Sequence, residues 1–222
     1  MNIDLHFCHA ARSVVERTGP LMREPFEAYV SENYTGTPVV IACGLPASNK
    51  TETMEVVARV KGYKILRTDI IRKEVLKNED IFDEKVASNM DKRTMVYDEM
   101  FRLAGETVAG GQGVILDATF VTQALRVRAA EVAASNGMAF IVQQTFCSQE
   151  YSLNKISKRT KGNYESNALT DQAYLNNKAK FEAVDLDDLQ ERFPDLEVTH
   201  LTVDTGSDLE EDWFVIDRED RS

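Results

Sequence analysis

Lys50 and Thr51 follow Gly44 at the spacing of a phosphate-binding loop. The segment Gly44-Leu45-Pro46-Ala47-Ser48-Asn49-Lys50-Thr51 fits the pattern G-x-x-x-x-G-K-[ST] at Gly44, Lys50 and Thr51, and carries Asn49 where the second glycine belongs. In such a loop, backbone N–H groups and a helix N-terminus face an anionic phosphate. Lys50 would neutralise the β- and γ-phosphates of ATP, and the Thr51 hydroxyl would ligate Mg2+. Asparagine tolerates positive φ better than most residues, so the loop can still close, at some cost in strain and space. Ala47 sets a second side chain near the same phosphates, and weakened or altered nucleotide binding stands as an alternative to a fully working loop. The other reading of the segment is an ordinary strand-to-helix turn.

A second constellation is Arg67-Thr68-Asp69-Ile70-Ile71-Arg72. Asp69 and Arg72 are three residues apart, which puts them on one helical face. The carboxylate can accept a hydroxyl proton while the guanidinium fixes an anionic group. Asp69 ahead of Ile70 also suits a helix N-cap. A third is the basic run Lys155, Lys158, Arg159, Lys161, followed by Gly162 and Asn163. It is either a solvated helix end or the base of a lid that brings cations to a transferring phosphoryl group on closure. Asp117 ends the apolar run Val114-Ile115-Leu116 as a site acid or as a turn carboxylate. Arg126 and Arg128 lie on the helix after it, within reach of a substrate or as surface charges. His6, Cys8 and His9 resemble half a metal site that nothing completes, and the three cysteines read as reduced thiols.

The elements that must position these groups follow from hydrophobic pattern. Val39 to Cys43 is an unbroken apolar run of the kind found in a parallel strand buried on both faces. Further strands are expected at residues 63–66, 114–116, 139–145 and 198–203. Helices are expected at residues 50–60, from 70, and at 89–109, 123–135, 151–159 and 171–183. The result is a three-layer α/β domain with a mainly parallel five-stranded sheet flanked by helices, and ligands belong at the carboxyl ends of its strands. Two short helices at residues 10–16 and 20–29 form an N-terminal helical extension. The expected division is 1–37 for that extension, 38–205 for the domain and 206–222 for an acidic tail.

With 43% hydrophobic residues, the 222-residue chain can bury a sizeable core, which excludes general disorder. No apolar stretch approaches the roughly 20 residues of a membrane span. The first residues mix acid, histidine and arginine, unlike a secretory signal, so a cytoplasmic protein is expected. Of the net charge of −11, residues 182–222 carry −12 and the rest +1. A neutral body with no aromatic-and-basic stripe argues against a polynucleotide substrate and for a small hydroxylated one. The acidic end reads as a solvated surface or a partner-binding tail.

The segments GLPASNKTE, RTDIIRKEVL, VYDEMFRLAGETVAGGQGVILDATF and SLNKISKRTKGNYESNALT together resemble the polynucleotide-kinase-like and zeta-toxin-like P-loop kinases. They are most similar to bacterial kinases of the AAA-type ATP-binding class, over residues 39–205. The resemblance implies a P-loop NTPase fold and transfer of the ATP γ-phosphoryl group to a hydroxyl. By the same resemblance, Asp69 would be the base or orienter of the attacking hydroxyl, and Arg72 and Arg126 would be substrate-binding. Asp117 would face Mg2+ or substrate, Arg159 would be a lid arginine on the ATP phosphates, and Lys155 is a weaker match. The family usually has glycines where this chain has Ala47 and Asn49, so a noncatalytic nucleotide-binding module that regulates a partner is the alternative.

Overall fold

Val39–Cys43 is apolar at every position because both of its faces are covered. In the computed structural model, which describes residues 22–81, 86, 89–159 and 170–222, this strand (β2) lies inside a seven-stranded sheet. In chain order the elements are β1 (Glu24–Pro25), α1 (Phe26–Asn33), β2, α2 (Lys50–Lys61), β3 (Lys64–Arg67) and α3 (Thr68–Val75). Then come α4 (Met90–Ala109), β4 (Val114–Asp117), α5 (Gln123–Ser135), β5 (Phe140–Phe146), α6 (Gln149–Ser157) and α7 (Asp171–Lys180). The chain closes with α8 (Leu186–Arg192), β6 (Val198–Asp204), a 3-10 turn at Glu210–Asp212 and β7 (Phe214–Arg221). The sheet order is β1-β7-β6-β5-β2-β4-β3. The five strands from β6 to β3 are parallel, and β1 and β7 run antiparallel along the β6 edge.

Alternation along β2 sorts the core into two layers. Val39, Ile41 and Cys43 pack with α4, α5 and α8 side chains such as Met100, Ala129 and Leu189. Val40 and Ala42 pack on the opposite face with Phe26 and Val30 of α1, Met54 and Val57 of α2, and Trp213. These are the three layers expected.

Chain on both sides of residues 37 and 205 contributes to the same sheet and core. The described part of the N-terminal extension supplies β1 and α1, whose Phe26, Tyr29 and Val30 are buried in the second core layer. Its helix lies at residues 26–33, later than expected, while the 10–16 helix, the turn at residues 18–20 and the His6, Cys8, His9 cluster lie outside the described residues. The acidic tail is not free either. Trp213 and Val215 are buried, and the charged remainder pairs as β7 with β6 across a bulge at Thr202/Val203. Arg218 meets Asp220 at 2.8 Å and Arg221 meets Asp187 at 3.0 Å, so alternating acids and bases neutralise one another along the edge. Among the described residues, no helix is long and apolar enough to cross a membrane.

Candidate active site

The parallel register places the carboxyl ends of β2, β3 and β4 side by side, with Ala42 opposite Asp117 and Arg67 opposite Asp117. Where a strand ends in such a sheet, the chain must turn before the next helix, and unsatisfied helix-N-terminal amides open there. The turn after β2 is residues 44–49. Ala47 has φ 60° and Asn49 φ 56°, so both adopt the left-handed conformation that glycine favours. For alanine that conformation costs on the order of 1–2 kcal/mol. Alternating handedness of this kind turns successive amides to one side and makes an anion-binding nest. Gly44 sits at φ 141°, and a Cβ there would lie 2.6 Å from Thr145 Oγ1, so only glycine fits.

Hydroxyls hold the loop in this shape. Ser48 Oγ donates to Leu45 O at 2.8 Å and shares a 2.6 Å bond with Thr145 Oγ1, while Thr205 Oγ1 donates to Ser48 O at 3.0 Å. Leu45 and Ala47 are buried beneath Ile156 of α6 and Tyr174 of α7. Pro46 is buried with them. Lys50, the first residue of α2, donates through Nζ to Leu45 O at 2.5 Å and so lies folded across the loop. Burial pushes its pKa down, while the nearby Asp117 carboxylate pulls it up.

Next to Lys50, Thr51 Oγ1 donates to Asp117 Oδ2 at 2.7 Å. Asp117 is 7% exposed, and burial raises its pKa to about 6, against the opposing effects of the Thr51 bond and the Lys50 and Arg67 charges. Arg67 Nε stands 3.8 Å from the same carboxylate and also pairs with Glu55. A hydroxyl and a carboxylate, both hard oxygen donors, beside a phosphate nest fit Mg2+, which takes one or two protein oxygens and completes its shell with water and phosphate. Among the described residues there is no cluster of three or more His, Cys, Asp or Glu side chains suited to a metal held by protein alone.

Asp69 is the second residue of α3, not its N-cap, and it accepts from Arg72 Nη1 at 3.1 Å. The residue before it, Thr68, donates through Oγ1 to Asp117 O at 3.4 Å, which sets the start of α3 against the end of β4. The sequence-derived residues of the loop, Lys50, Thr51, Asp69, Arg72 and Asp117, therefore converge. Arg159 follows the C-cap of α6, and its charge acts on Lys50. Lys161, Gly162 and Asn163 of the basic run lie outside the described residues.

Arg126 departs from expectation. It is fully buried, and its guanidinium donates to Phe120 O (3.1 Å), Ala183 O (2.8 Å) and Glu182 O (2.7 Å). Phe120 has φ 43°, strained for a bulky residue. Arg126 thus clamps the turn that follows Asp117, with four of its five N–H donors spent inside the fold. Arg128 points elsewhere, pairing with Asp98 at 2.6 Å over the Phe101 ring.

Sequence reasoning missed Arg67 as a neighbour of Asp117. The signal was present, since both residues end adjacent parallel strands. It also missed the tie between Asn49 and α6. Asn49 Nδ2 donates to Tyr151 Oη (2.9 Å), Thr205 O (2.9 Å) and Ser207 O (3.1 Å), and its Oδ1 accepts from Lys155 Nζ.

Residues 39–184, well over half the chain, match the family described as AAA domain. Among solved structures, a sugar kinase from Janibacter sp. aligns with 17% identity and a TM-score of 0.56, over 76% of this chain and 86% of its own. A gluconokinase from Sinorhizobium meliloti aligns with 18% identity and a TM-score of 0.51, over 78% and 84%. A putative kinase from Chloroflexus aurantiacus aligns with 16% identity and a TM-score of 0.55, over 78% and 90%. At these identities the likeness establishes a shared fold. No curated protein matches the chain.

Proposed function

We propose that this chain, which belongs to the AAA domain family, is a P-loop phosphotransferase that moves the γ-phosphoryl group of ATP to a hydroxyl of a small acceptor. One observation carries the reading. Thr51 is bonded to Asp117 at 2.7 Å, immediately after a loop whose residues 47 and 49 hold the left-handed conformations of a phosphate nest. That arrangement has a specific use in nucleotide chemistry, and a simple strand-to-helix turn does not require it. The solved relatives whose names call them kinases point the same way.

In this reading the nest amides and Lys50 bind the phosphates. Thr51 and Asp117 would hold Mg2+, which when bound would supply charge neutralisation for the phosphates. Asp69 accepts the acceptor's hydroxyl proton as its oxygen bonds to the γ-phosphorus, the bond to the β–γ bridging oxygen breaks, and ADP leaves. Arg72 holds Asp69 in place and can meet an anionic part of the acceptor. Arg159, a lid arginine by the resemblance, would add positive charge for the ATP phosphates. Catalysis of this kind rests on positioning and electrostatics, and the retained set of cation, hydroxyl and two acids supports turnover over a purely regulatory role. The +1 net charge of residues 1–181 supports a small acceptor over a polynucleotide.

Calorimetric titration with ATP and Mg2+ tests the nucleotide half. Wild type should bind and Lys50→Ala should lose at least tenfold in affinity. Screening ATP turnover against hydroxylated metabolites tests the other half. Asp69→Asn should abolish acceptor-dependent turnover with ATP affinity intact, and undiminished turnover would refute its role as base.

A further inference from the structure

Asn49 stands where the phosphate-loop pattern has glycine, and its backbone conformation is the one glycine would take: φ 56°, ψ 27°. Its side chain is nevertheless far from idle. It is 2% exposed and joins three separate pieces of chain: the loop itself, α6 through Tyr151 and Lys155, and the β6–β7 connection through Thr205 and Ser207. The orientation of the amide is fixed by its partners, because the Thr205 and Ser207 carbonyls can only accept and the Lys155 ammonium can only donate. Tyr151 passes the chain on, donating to Asp208 Oδ1 at 2.5 Å, and Lys155 Nζ also reaches Glu52 Oε1 at 3.1 Å. A glycine would fit the backbone better and make none of these bonds.

The tie has a consequence for the cations. Lys155 also pairs with Glu52 in the first turn of α2, so one ammonium ties α6 both to the loop and to the helix that begins at Lys50. We propose that Asn49 is a positioning residue that latches the phosphate loop to α6 through Lys155 and Tyr151, and thereby sets the loop and Lys50 in place before nucleotide arrives. This rests on the phosphotransferase reading above. It turns the departure from glycine into a device, in which a loop that would otherwise order on binding phosphate is ordered in advance, and the entropy cost of closing it is removed from the binding step.

Equilibrium binding of ATP and of inorganic tripolyphosphate, each with Mg2+, tests the latch in wild type, Asn49→Gly, Lys155→Met, Lys155→Arg and the Asn49→Gly/Lys155→Met double variant. A role limited to backbone conformation requires Asn49→Gly to bind as well as wild type or better. The latch requires it to lose about tenfold for both ligands, the worth of a hydrogen bond to a charged group. Lys155→Met should lose a similar factor, Lys155→Arg should recover most of it, and the Asn49→Gly/Lys155→Met double variant should be little worse than Lys155→Met alone. Equal or tighter binding by Asn49→Gly, or full additivity with Lys155→Met, overturns the latch and leaves the phosphotransferase reading standing. Wild type binding neither ligand overturns both. Lys155 is partly exposed, so its variants keep the test valid if Asn49→Gly folds poorly.

Discussion

Asp117 shows what a site residue costs the protein that carries it. Its carboxyl is buried among apolar strands, and desolvation raises its pKa from an ordinary 3.8 to about 6 despite the bond from Thr51. A raised acid is a group the folded state prefers to protonate, so its favourable contribution is complete below about pH 3.8 and is lost as pH rises through about 6. At neutral pH the charged form is therefore held at a penalty of at most about 3 kcal/mol, taking 1.36 kcal/mol per unit. Asp117→Asn keeps an acceptor for Thr51 and removes the charge. Urea unfolding should find it more stable than wild type by up to that amount at pH 7.5, with the advantage shrinking towards zero by pH 4 while turnover is lost. A difference that stays constant with pH would mean that burial of charge is not the cause. The lysine, the hydroxyl and the acids of the site were legible because phosphate chemistry demands those types at fixed spacings. The roles of Asn49 and Arg126 were not, because each depends on carbonyls and hydroxyls brought from more than 50 residues away.

Elements followed a similar divide. Strands β2 to β6 and helices α2, α4 and α5 were legible because each has its own apolar period or a clear stop, such as the glycines after α4. Strand β7 was not. Its apolar signal is confined to Trp213 through Ile216, after which Asp-Arg-Glu-Asp-Arg gives no hydrophobic alternation. What makes it a strand is the edge of β6, which supplies backbone partners, and the neighbouring charges, which pair across it. Trp213 is the pin. It is 2% exposed, packs 6.4 Å from the Phe26 ring and donates Nε1–H to Ser207 O at 2.9 Å. Truncating a buried tryptophan costs about 3–5 kcal/mol. Trp213→Ala should lower unfolding stability by that amount. Because Ser207 O also accepts from Asn49, the variant should in addition weaken ATP binding under conditions where it remains folded. A loss under 1 kcal/mol would return residues 206–222 to the status of a loosely attached tail.

For the whole molecule, two buried groups titrate in the same range with opposite effects on stability. His200 Nε2 donates to Gln144 Oε1 at 3.1 Å between β6 and β5, and burial, helped by the Arg126 charge, lowers its pKa from 6.5 to about 4. Between those values the unfolded chain holds a proton that the folded chain refuses, so stability falls as pH drops from about 6.5 to about 4. The loss is at most about 3 kcal/mol for a shift of that size. Asp117 gains over nearly the same window, since there the folded state holds the extra proton. The two contributions largely cancel, which flattens the acid limb of the wild-type curve with respect to these groups. Replacing either one unmasks the other. His200→Gln retains a donor towards Gln144 and has no charge to take up, so its stability relative to wild type should rise steadily as pH falls from 7 to 4. The Asp117→Asn difference should move in the opposite direction over the same range. If both differences instead stay flat, neither group titrates through burial. If both move the same way, the cancellation does not exist, and acid sensitivity must come from the paired carboxylates at the β6–β7 edge.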